Sequence, residues 1–247
     1  MVTTPLSGRA VVTGAAAGIG RATAELLRDE GVDVLAVDRD AAGLESLSGI
    51  EPYACDLRRP EERDALVARA SGSRYLINAA GVILIKPIFD CTVDDLRWIC
   101  ELNVEATWDL TSRIGATIPV GGSIVNVSST AARLNANTET ALYSASKAAV
   151  LSITRSFAHA LAPSGVRVNA VCPGMIDTAM QRQVLEGLAA IRGTTAADVL
   201  AGRLDALPLG RIATAAECAQ VIHFLLSDAA AYLTGQAISN DGGLVMV

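Results

Sequence analysis

In the run TALYSASKAAV, Thr140 to Val150, two side chains can do chemistry that their small neighbours cannot: the phenol of Tyr143 and the amine of Lys147. On a helix, residues four apart share one face, with Cβ atoms about 5–6 Å from each other. A phenol can give or take a proton, and an ammonium beside it favours the phenolate. Moving a tyrosine from its ordinary pKa of about 10 to roughly 7 takes about 4 kcal/mol. One ammonium about 4 Å away supplies about 1 kcal/mol in bulk water and about 4 at an effective dielectric of about 20. The pair is therefore an acid/base device only in a site shielded from solvent. On an open helix the same spacing describes ordinary surface neighbours.

A second cluster lies near the N-terminus, where an apolar run passes into Thr13-Gly14-Ala15-Ala16-Ala17-Gly18-Ile19-Gly20 and then into a helix-period segment. Strand, glycine turn and helix start are the parts of a phosphate cradle. Glycines let the backbone approach a pyrophosphate, and the helix N-terminus favours its charge. The spacing is GxxxGxG, which departs from the GxGxxG fingerprint. The next apolar run ends in Asp38, where a carboxylate can accept hydrogen bonds from ribose hydroxyls and repel a 2′-phosphate. This favours NAD over NADP. Arg39 pulls the other way, since an arginine there can meet a 2′-phosphate, but no Lys or Arg lies within Ala15 to Ala17.

Short runs rich in Val and Ile alternate with longer helix-period segments, the pattern of repeated βα units around a parallel sheet. The expected strands are Ala10 to Thr13, Asp33 to Val37, Glu51 to Cys55, Tyr75 to Asn78, Ser123 to Val127, Arg167 to Val171 and Ala237 to Ser239. The expected helices are Arg21 to Glu30, Glu61 to Ala70, Val93 to Ile118, Ala141 to Ala162 and Ala215 to Leu226. That is a doubly wound α/β arrangement. No repeat, low-complexity linker or charge block divides it, so one domain is expected over residues 1–247. Residues 175–209 carry helical pattern without a strand. An insertion after a strand's carboxyl end lies where ligands bind in such sheets, so this segment is read as a substrate lid.

Composition narrows the function classes. The chain has 247 residues, 51% of them hydrophobic, and 20 basic against 26 acidic residues give a net charge of −6. A general affinity for nucleic acid or anionic membrane is not expected. The longest uncharged window, Ile114 to Ala132, contains Pro119, Gly121, Gly122 and Asn126, and reads as loop plus buried strand rather than a membrane span. The N-terminal stretch has no basic region followed by an apolar signal core, so a cytoplasmic location is expected. The five cysteines, Cys55, Cys91, Cys100, Cys172 and Cys218, show no CxxC pairing and fit reduced thiols. With two histidines, His159 and His223, both in apolar helix-like stretches, a histidine triad or a metal site has little to draw on.

Taken in order, the motifs resemble those of the short-chain dehydrogenase/reductase family over nearly the whole chain. TGAAAGIG resembles that family's cofactor loop, with Gly14, Gly18, Ile19 and Gly20; CDL, with Asp56 and Leu57, its adenine contact; and NAAG, Asn78, Ala79, Ala80 and Gly81, its strand-four motif. Asn103 in LNVEA, Ser129 in VNVSS, and Tyr143 with Lys147 in YSASK match the positions of its catalytic tetrad. PGMIDT, with Pro173, Gly174, Ile176 and Thr178, resembles the segment that holds the nicotinamide carboxamide, and NDGG, Asn240 to Gly243, the closing motif. Two features depart from the family pattern. NAAG has alanine where a second asparagine is frequent, and the interval from Ser129 to Tyr143 is one residue longer than the commonest form, so the loop Thr130 to Leu142 is expected to bulge. Ser128 is the alternative catalytic serine and makes that interval longer still.

The resemblance implies a Rossmann-like sheet of seven mainly parallel strands in the order 3-2-1-4-5-6-7, and an NAD-dependent oxidoreductase interconverting a secondary alcohol and a ketone. It implies Tyr143 as the acid/base, Lys147 lowering its pKa and bonding the nicotinamide ribose, Ser129 holding the substrate oxygen, and Asn103 positioning a water in a relay to Lys147. It also implies a homotetramer built through the helices at Val93 to Ile118 and Ala141 to Ala162. The substrate pocket is expected from Ile83 to Ile88, Ala131 to Asn137 and the lid, with Arg133, Arg182, Arg192 and Arg203 as candidates to meet a carboxylate. DTAMQR in the lid resembles 2,3-dihydro-2,3-dihydroxybenzoate dehydrogenases, whereas the longer serine to tyrosine loop resembles hydroxybutyrate and sugar-acid dehydrogenases. The substrate therefore stays open among small hydroxy acids, polyols and cyclic alcohols. An NADP-dependent carbonyl reductase is one alternative, and a dinucleotide-sensing protein without turnover is another.

Overall fold

Ala10, Val11 and Val12 are all fully buried in the first strand, β1 (Arg9–Thr13), as a strand covered on both faces requires. The computed structural model describes residues 5–134 and 137–246. β1 pairs in parallel with β2 (Asp33–Asp38) on one side and β4 (Tyr75–Asn78) on the other. β3 (Glu51–Ala54) lies outside β2, and β5 (Ser123–Val127), β6 (Arg167–Pro173) and β7 (Ala237–Asn240) continue beyond β4. The sheet order is β3-β2-β1-β4-β5-β6-β7, all parallel among the described residues, as the sequence implies.

The helices are α1 (Gly18–Asp29), α2 (Ala41–Glu45), α3 (Pro60–Arg69), α4 (Val93–Cys100), α5 (Thr107–Gly115), α6 (Ala141–Leu161), α7 (Ala179–Arg192), α8 (Ala196–Leu204) and α9 (Ala215–Leu226). Alternation along β1 sorts them into two layers. Ala10 and Val12 pack with Ala24 and Leu27 of α1 and Ile222 and Leu225 of α9. Val11 faces the other way, onto Leu66 of α3, Leu110 and Ile114 of α5 and Ala158 of α6.

Most boundaries fall within two residues of the sequence reading; two helices differ more, and one short helix is new, for local reasons. The first helix begins at Gly18, not Arg21, so the end of the glycine loop is itself the first helical turn. The single helix expected over Val93 to Ile118 ends at Gly115 and is interrupted by a π-helical turn, Glu101–Ala106, between α4 and α5. Hydrophobic periodicity does not report a widened turn. Its effect is to place Asn103, a polar residue, wholly in the interior. The third difference is α2, five residues long and too short for a periodic signal, held by Asp40 accepting from the Gly43 amide.

Residues 175–209 form α7, α8 and their connections. Val184, Leu188 and Ala189 of α7 and Val199 of α8 make a small cluster of their own with Ile83, against which Ile85 and Tyr143 pack. Parts of two expectations, residues 1–4 of the N-terminal stretch and residues 135–136 of the bulged loop and pocket wall, lie outside the described residues. Around that gap the loop forms two 3-10 turns, Thr130–Ala132 and Thr138–Thr140. Among the described residues no helix is long and apolar enough to cross a membrane.

Candidate active site

β2 and β4 flank β1 on opposite sides, so the loops leaving β1 and β4 diverge and open a crevice at the carboxyl edge of the sheet. A cleft of about 360 Å³ lies there. Its floor depends on glycine. Gly14 has φ +68°, and a Cβ on it would come within 2.8 Å of the Ala80 backbone; a Cβ on Gly20 would lie 2.1 Å from the Gly14 carbonyl. Thr13 fastens the two loops together, its Oγ1 accepting from the amides of Ala79 and Ala80 at 3.1 Å each. The N-cap of α1 is Ala17, which has no side-chain acceptor, so the first amides of that helix are left uncapped by the protein's own side chains.

At the end of β2 the Asp38 carboxylate accepts from the Ala16 amide at 3.1 Å and from the Asp40 amide at 3.0 Å. Those bonds hold it against the glycine loop. Arg39 lines the exposed rim, and Asp56, Leu57 and Arg58 follow on the next strand's end. Arg58 was missed from the sequence; its guanidinium lies 4.8 Å over the ring of Trp98, a contact between residues 40 apart. A glycine floor, uncapped helix amides and a fixed carboxylate together suit a dinucleotide.

Ala79, Ala80 and Gly81 line the cleft, but Asn78 does not. Its amide donates to Thr111 Oγ1 at 3.0 Å and to Asn126 Oδ1 at 2.8 Å inside the fold, tying β4 to α5 and β5. Asn103 is also outside the cleft wall. Its Oδ1 accepts from the Val82 amide, and its Nδ2 donates to the Val82 carbonyl and to Ser146 Oγ, all at 2.9 Å. The side chain thus clasps the peptide that leaves β4 and joins it to α6. Asn103 Oδ1 and Lys147 Nζ both sit around Gly81: a Cβ there would be 3.3 Å from the first and 3.2 Å from the second.

Tyr143 and Lys147 do share the inner face of α6, with Nζ 5.8 Å from the phenol ring centre. Lys147 is buried and donates to the Val127 carbonyl at 2.8 Å. Ser129 hydrogen-bonds the phenol of Tyr143, while its Oγ also accepts from the Ala131 amide at 3.1 Å. Ser128 is spent elsewhere, its hydroxyl donating to the Lys147 carbonyl at 2.8 Å. Geometry therefore separates the two serines that spacing left open.

Burial dominates the electrostatics of the pair in the protein alone. Loss of water pushes the Tyr143 phenol up to about 12, with the Ser129 hydrogen bond opposing and the Cys172 thiol adding to the rise. Loss of water likewise pushes Lys147 down to about 8, against the pull of Cys172. Burial outweighs every other influence on the phenol, and the Lys147 amine is directed at a carbonyl of β5.

Pro173, Gly174, Ile176 and Thr178 complete the wall. Gly174 is pressed on the closing motif, where a Cβ would meet Asp241 at 2.8 Å. Of the four candidate arginines, three are engaged. Arg133 donates to Ser239 Oγ at 2.9 Å and to the Ala237 carbonyl, Arg182 pairs with Asp177 at 3.1 Å, and Arg192 pairs with Glu139 at 2.9 Å. Only Arg203 of the four lines the cleft, together with Gln181 and Asn137. Neither histidine lines it.

A family model described as enoyl-(acyl carrier protein) reductase matches residues 14–245, from the glycine floor to the closing motif. The chain belongs to the short-chain dehydrogenase/reductase family. This short-chain dehydrogenase/reductase is 34% identical to a 3-oxoacyl-(acyl-carrier-protein) reductase of Thermotoga maritima, over 96% of this chain and 97% of the other. It is 33% identical to dehydrogenase/reductase SDR family member 6 of Rattus norvegicus, over 96% and 98%. Among solved structures it superposes with a TM-score of 0.86 on a protein of Beutenbergia cavernae described as a putative NAD(P)-dependent gluconate 5-dehydrogenase with bound NADP, at 31% identity over 98% of this chain and 99% of that one. As a member of the family it is an oxidoreductase that acts on CH–OH groups with a nicotinamide dinucleotide.

Proposed function

We propose that this protein interconverts a secondary alcohol and a ketone with NAD(H), and that Tyr143 gives and takes the hydroxyl proton. The observation that carries the reading is the Tyr143 phenol, hydrogen-bonded to Ser129 and set above buried Lys147 in the same cleft that the glycine loop floors. When bound, the dinucleotide supplies the hydride acceptor or donor and, oxidised, a positive charge beside the phenol.

Each residue then has a share of the work. The glycine loop and the open amides of α1 take the pyrophosphate, and Asp38 takes the adenosine ribose hydroxyls. Lys147, shifted to about 8, is mainly an ammonium at neutral pH and holds the nicotinamide ribose while favouring the phenolate. Ser129 holds the substrate oxygen against Tyr143, so proton and hydride leave adjacent atoms. Asn103 acts one step away by fixing the Val82 peptide and Ser146, which borders the tyrosine–lysine helix face. Helices α7 and α8 cover the substrate end, in keeping with a lid over residues 175–209.

Asp38 supports NAD. A second reading, an NADP-dependent reductase, draws on Arg39 at the rim and on the NADP carried by the Beutenbergia cavernae protein. The five free cysteines suit a reducing cytoplasm. The half-exposed Trp98 and Trp108 on the outer face of α4 and α5 suit the homotetramer implied for those helices and α6. The test is reduced-nicotinamide absorbance with NAD and with NADP across hydroxy acids, polyols and cyclic alcohols. Reduction of NAD by a secondary alcohol is expected. Dinucleotide binding without reduction by any of them would overturn the reading in favour of a sensor.

A further inference from the structure

The substrate end of the cleft holds two hydrogen-bond donors that the protein does not use. Arg203 Nη1 and Gln181 Nε2 are both buried, and among the described residues neither has a partner. Both residues line the cleft. Donors buried without acceptors are costly and uncommon, so each such group calls for an occupant. For a guanidinium the argument is stronger, because its donors stay charged and it has no acceptor to offer.

Their placement points to the reacting centre. Val199 lies four residues before Arg203 on α8 and therefore on the same helix face. Val199 belongs to the cluster of Ile83, Val184, Leu188 and Ala189 against which Tyr143 packs. Gln181 stands one turn before Val184 on α7. The cleft wall there also includes the apolar Ile83, Met180 and Val184 and the neutral Asn137 and Thr140. Among the described lining residues the acids are Asp38 and Asp56, both at the dinucleotide end. Among the described residues no carboxylate pairs with Arg203. Burial disfavours the Arg203 charge, and its neighbour Arg192, itself paired with Glu139, adds to that.

We propose that Arg203, assisted by Gln181, binds a carboxylate of the substrate, so that the alcohol oxidised in this cleft is a hydroxy acid and the ketone formed is a keto acid. The inference rests on the alcohol–ketone reading above and selects one substrate class within it. A carboxylate offers two coplanar oxygens that match the guanidinium fork, and the amide of Gln181 can present its N–H edge to one of them. One guanidinium and one neutral amide balance a single negative charge. A phosphate ester, with close to two, would leave charge uncompensated in that wall.

Binding separates this inference from the reaction. Calorimetry on the protein with NADH uses butanoate and hexanoate, which lack a reacting hydroxyl, against their primary amides. The same titrations follow on Arg203→Met, Arg203→Lys and Gln181→Leu, with NADH affinity and melting temperature as folding controls. The carboxylates are expected to bind at least tenfold more tightly than the amides, with the preference abolished in Arg203→Met, partly kept in Arg203→Lys and weakened in Gln181→Leu. In parallel, kcat/KM for short hydroxy acids should fall at least a hundredfold in Arg203→Met, while that for the corresponding diols changes less than threefold. Equal binding of acids and amides, or a preference that survives Arg203→Met in a folded, NADH-binding protein, overturns the anion site. Carboxylate preference through Arg203 with no turnover of any alcohol supports the anion site and overturns the reaction.

Discussion

Lys147 Nζ donates a 2.8 Å hydrogen bond to the carbonyl of Val127, the last residue of β5. The amine that should tune the phenol is thus anchored to the sheet by a neutral acceptor, and no carboxylate pairs with it among the described residues. Burial then governs its titration and lowers it to about 8. A cation that releases its proton so readily can serve a relay, and its charge costs stability whenever it is present.

That cost should be visible in the pH dependence of folding. The native amine titrates near 8 and the unfolded one near 10.5, so between these values the unfolded chain binds more protons and stability rises with pH. Below pH 8 the penalty is constant. Urea unfolding of wild type and Lys147→Met at pH 7.5 and 9.5 should show wild type gaining roughly 1–3 kcal/mol on the variant. A constant difference would mean that the lysine is not desolvated. Tyr143 has the opposite sign, since its native value of about 12 lies above the unfolded 10, and its stabilising effect is lost only as pH rises from 10 to 12.

Replacing the phenol isolates the proton step. Tyr143→Phe keeps the ring that packs against the α7 and α8 cluster and removes only the hydroxyl. Turnover should fall by about 10²–10⁴-fold, while dinucleotide affinity, read by quenching of protein fluorescence, stays nearly the same. Wild-type turnover in this variant would remove Tyr143 from the chemistry.

Two glycines separate backbone strain from loss of the cofactor floor. Gly14→Ala places a Cβ 2.8 Å from Ala80 at φ +68°, so the loops after β1 and β4 must part. Gly31 has φ +84° with nothing within 4 Å, so Gly31→Ala meets strain without a clash. Both should lose about 1 kcal/mol or more on unfolding. Only Gly14→Ala should weaken dinucleotide binding tenfold or more, and equal losses in the two would show that the floor does not touch the ligand.

Asn103→Ala strips three partners at once, the Val82 amide, the Val82 carbonyl and Ser146 Oγ. Unfolding free energy should drop by about 2–4 kcal/mol, in line with buried groups left unpaired. If Asn103 acts by holding the cleft backbone, kcat and dinucleotide affinity should fall together. A fall in kcat alone would instead favour the water relay.

Asp38 decides the dinucleotide if its carboxylate repels a 2′-phosphate. Asp38→Ser should raise kcat/KM with NADP relative to NAD by at least about tenfold, roughly 1.4 kcal/mol. An unchanged ratio would place the selection elsewhere, with Arg39 the first residue to replace.

The sequence carried the layout well because its signals are local. Short strand-like runs between helix-period segments, most of them rich in Val or Ile, marked the seven strands within a few residues, and Gly14, Gly18 and Gly20 announced a turn too tight for a side chain at Gly14 or Gly20. The four-residue step from Tyr143 to Lys147 was enough to put them on one face of α6. Local signals fail where an outcome depends on partners far along the chain. The turn of Ser128 toward Lys147 and of Ser129 toward Tyr143 follows from β5 packing on α6. The π-helical turn carries Asn103 to partners, Val82 and Ser146, that lie 21 and 43 residues away in the chain. Arg133, Arg182, Arg192 and Arg203 are equivalent as residue types, and tertiary contacts engage the first three while Arg203 Nη1 has no partner among the described residues. Periodicity and backbone permissiveness are properties of a short segment and can be read in it. A side chain's direction, its desolvation and its unmet hydrogen bonds are set by whatever the fold brings beside it.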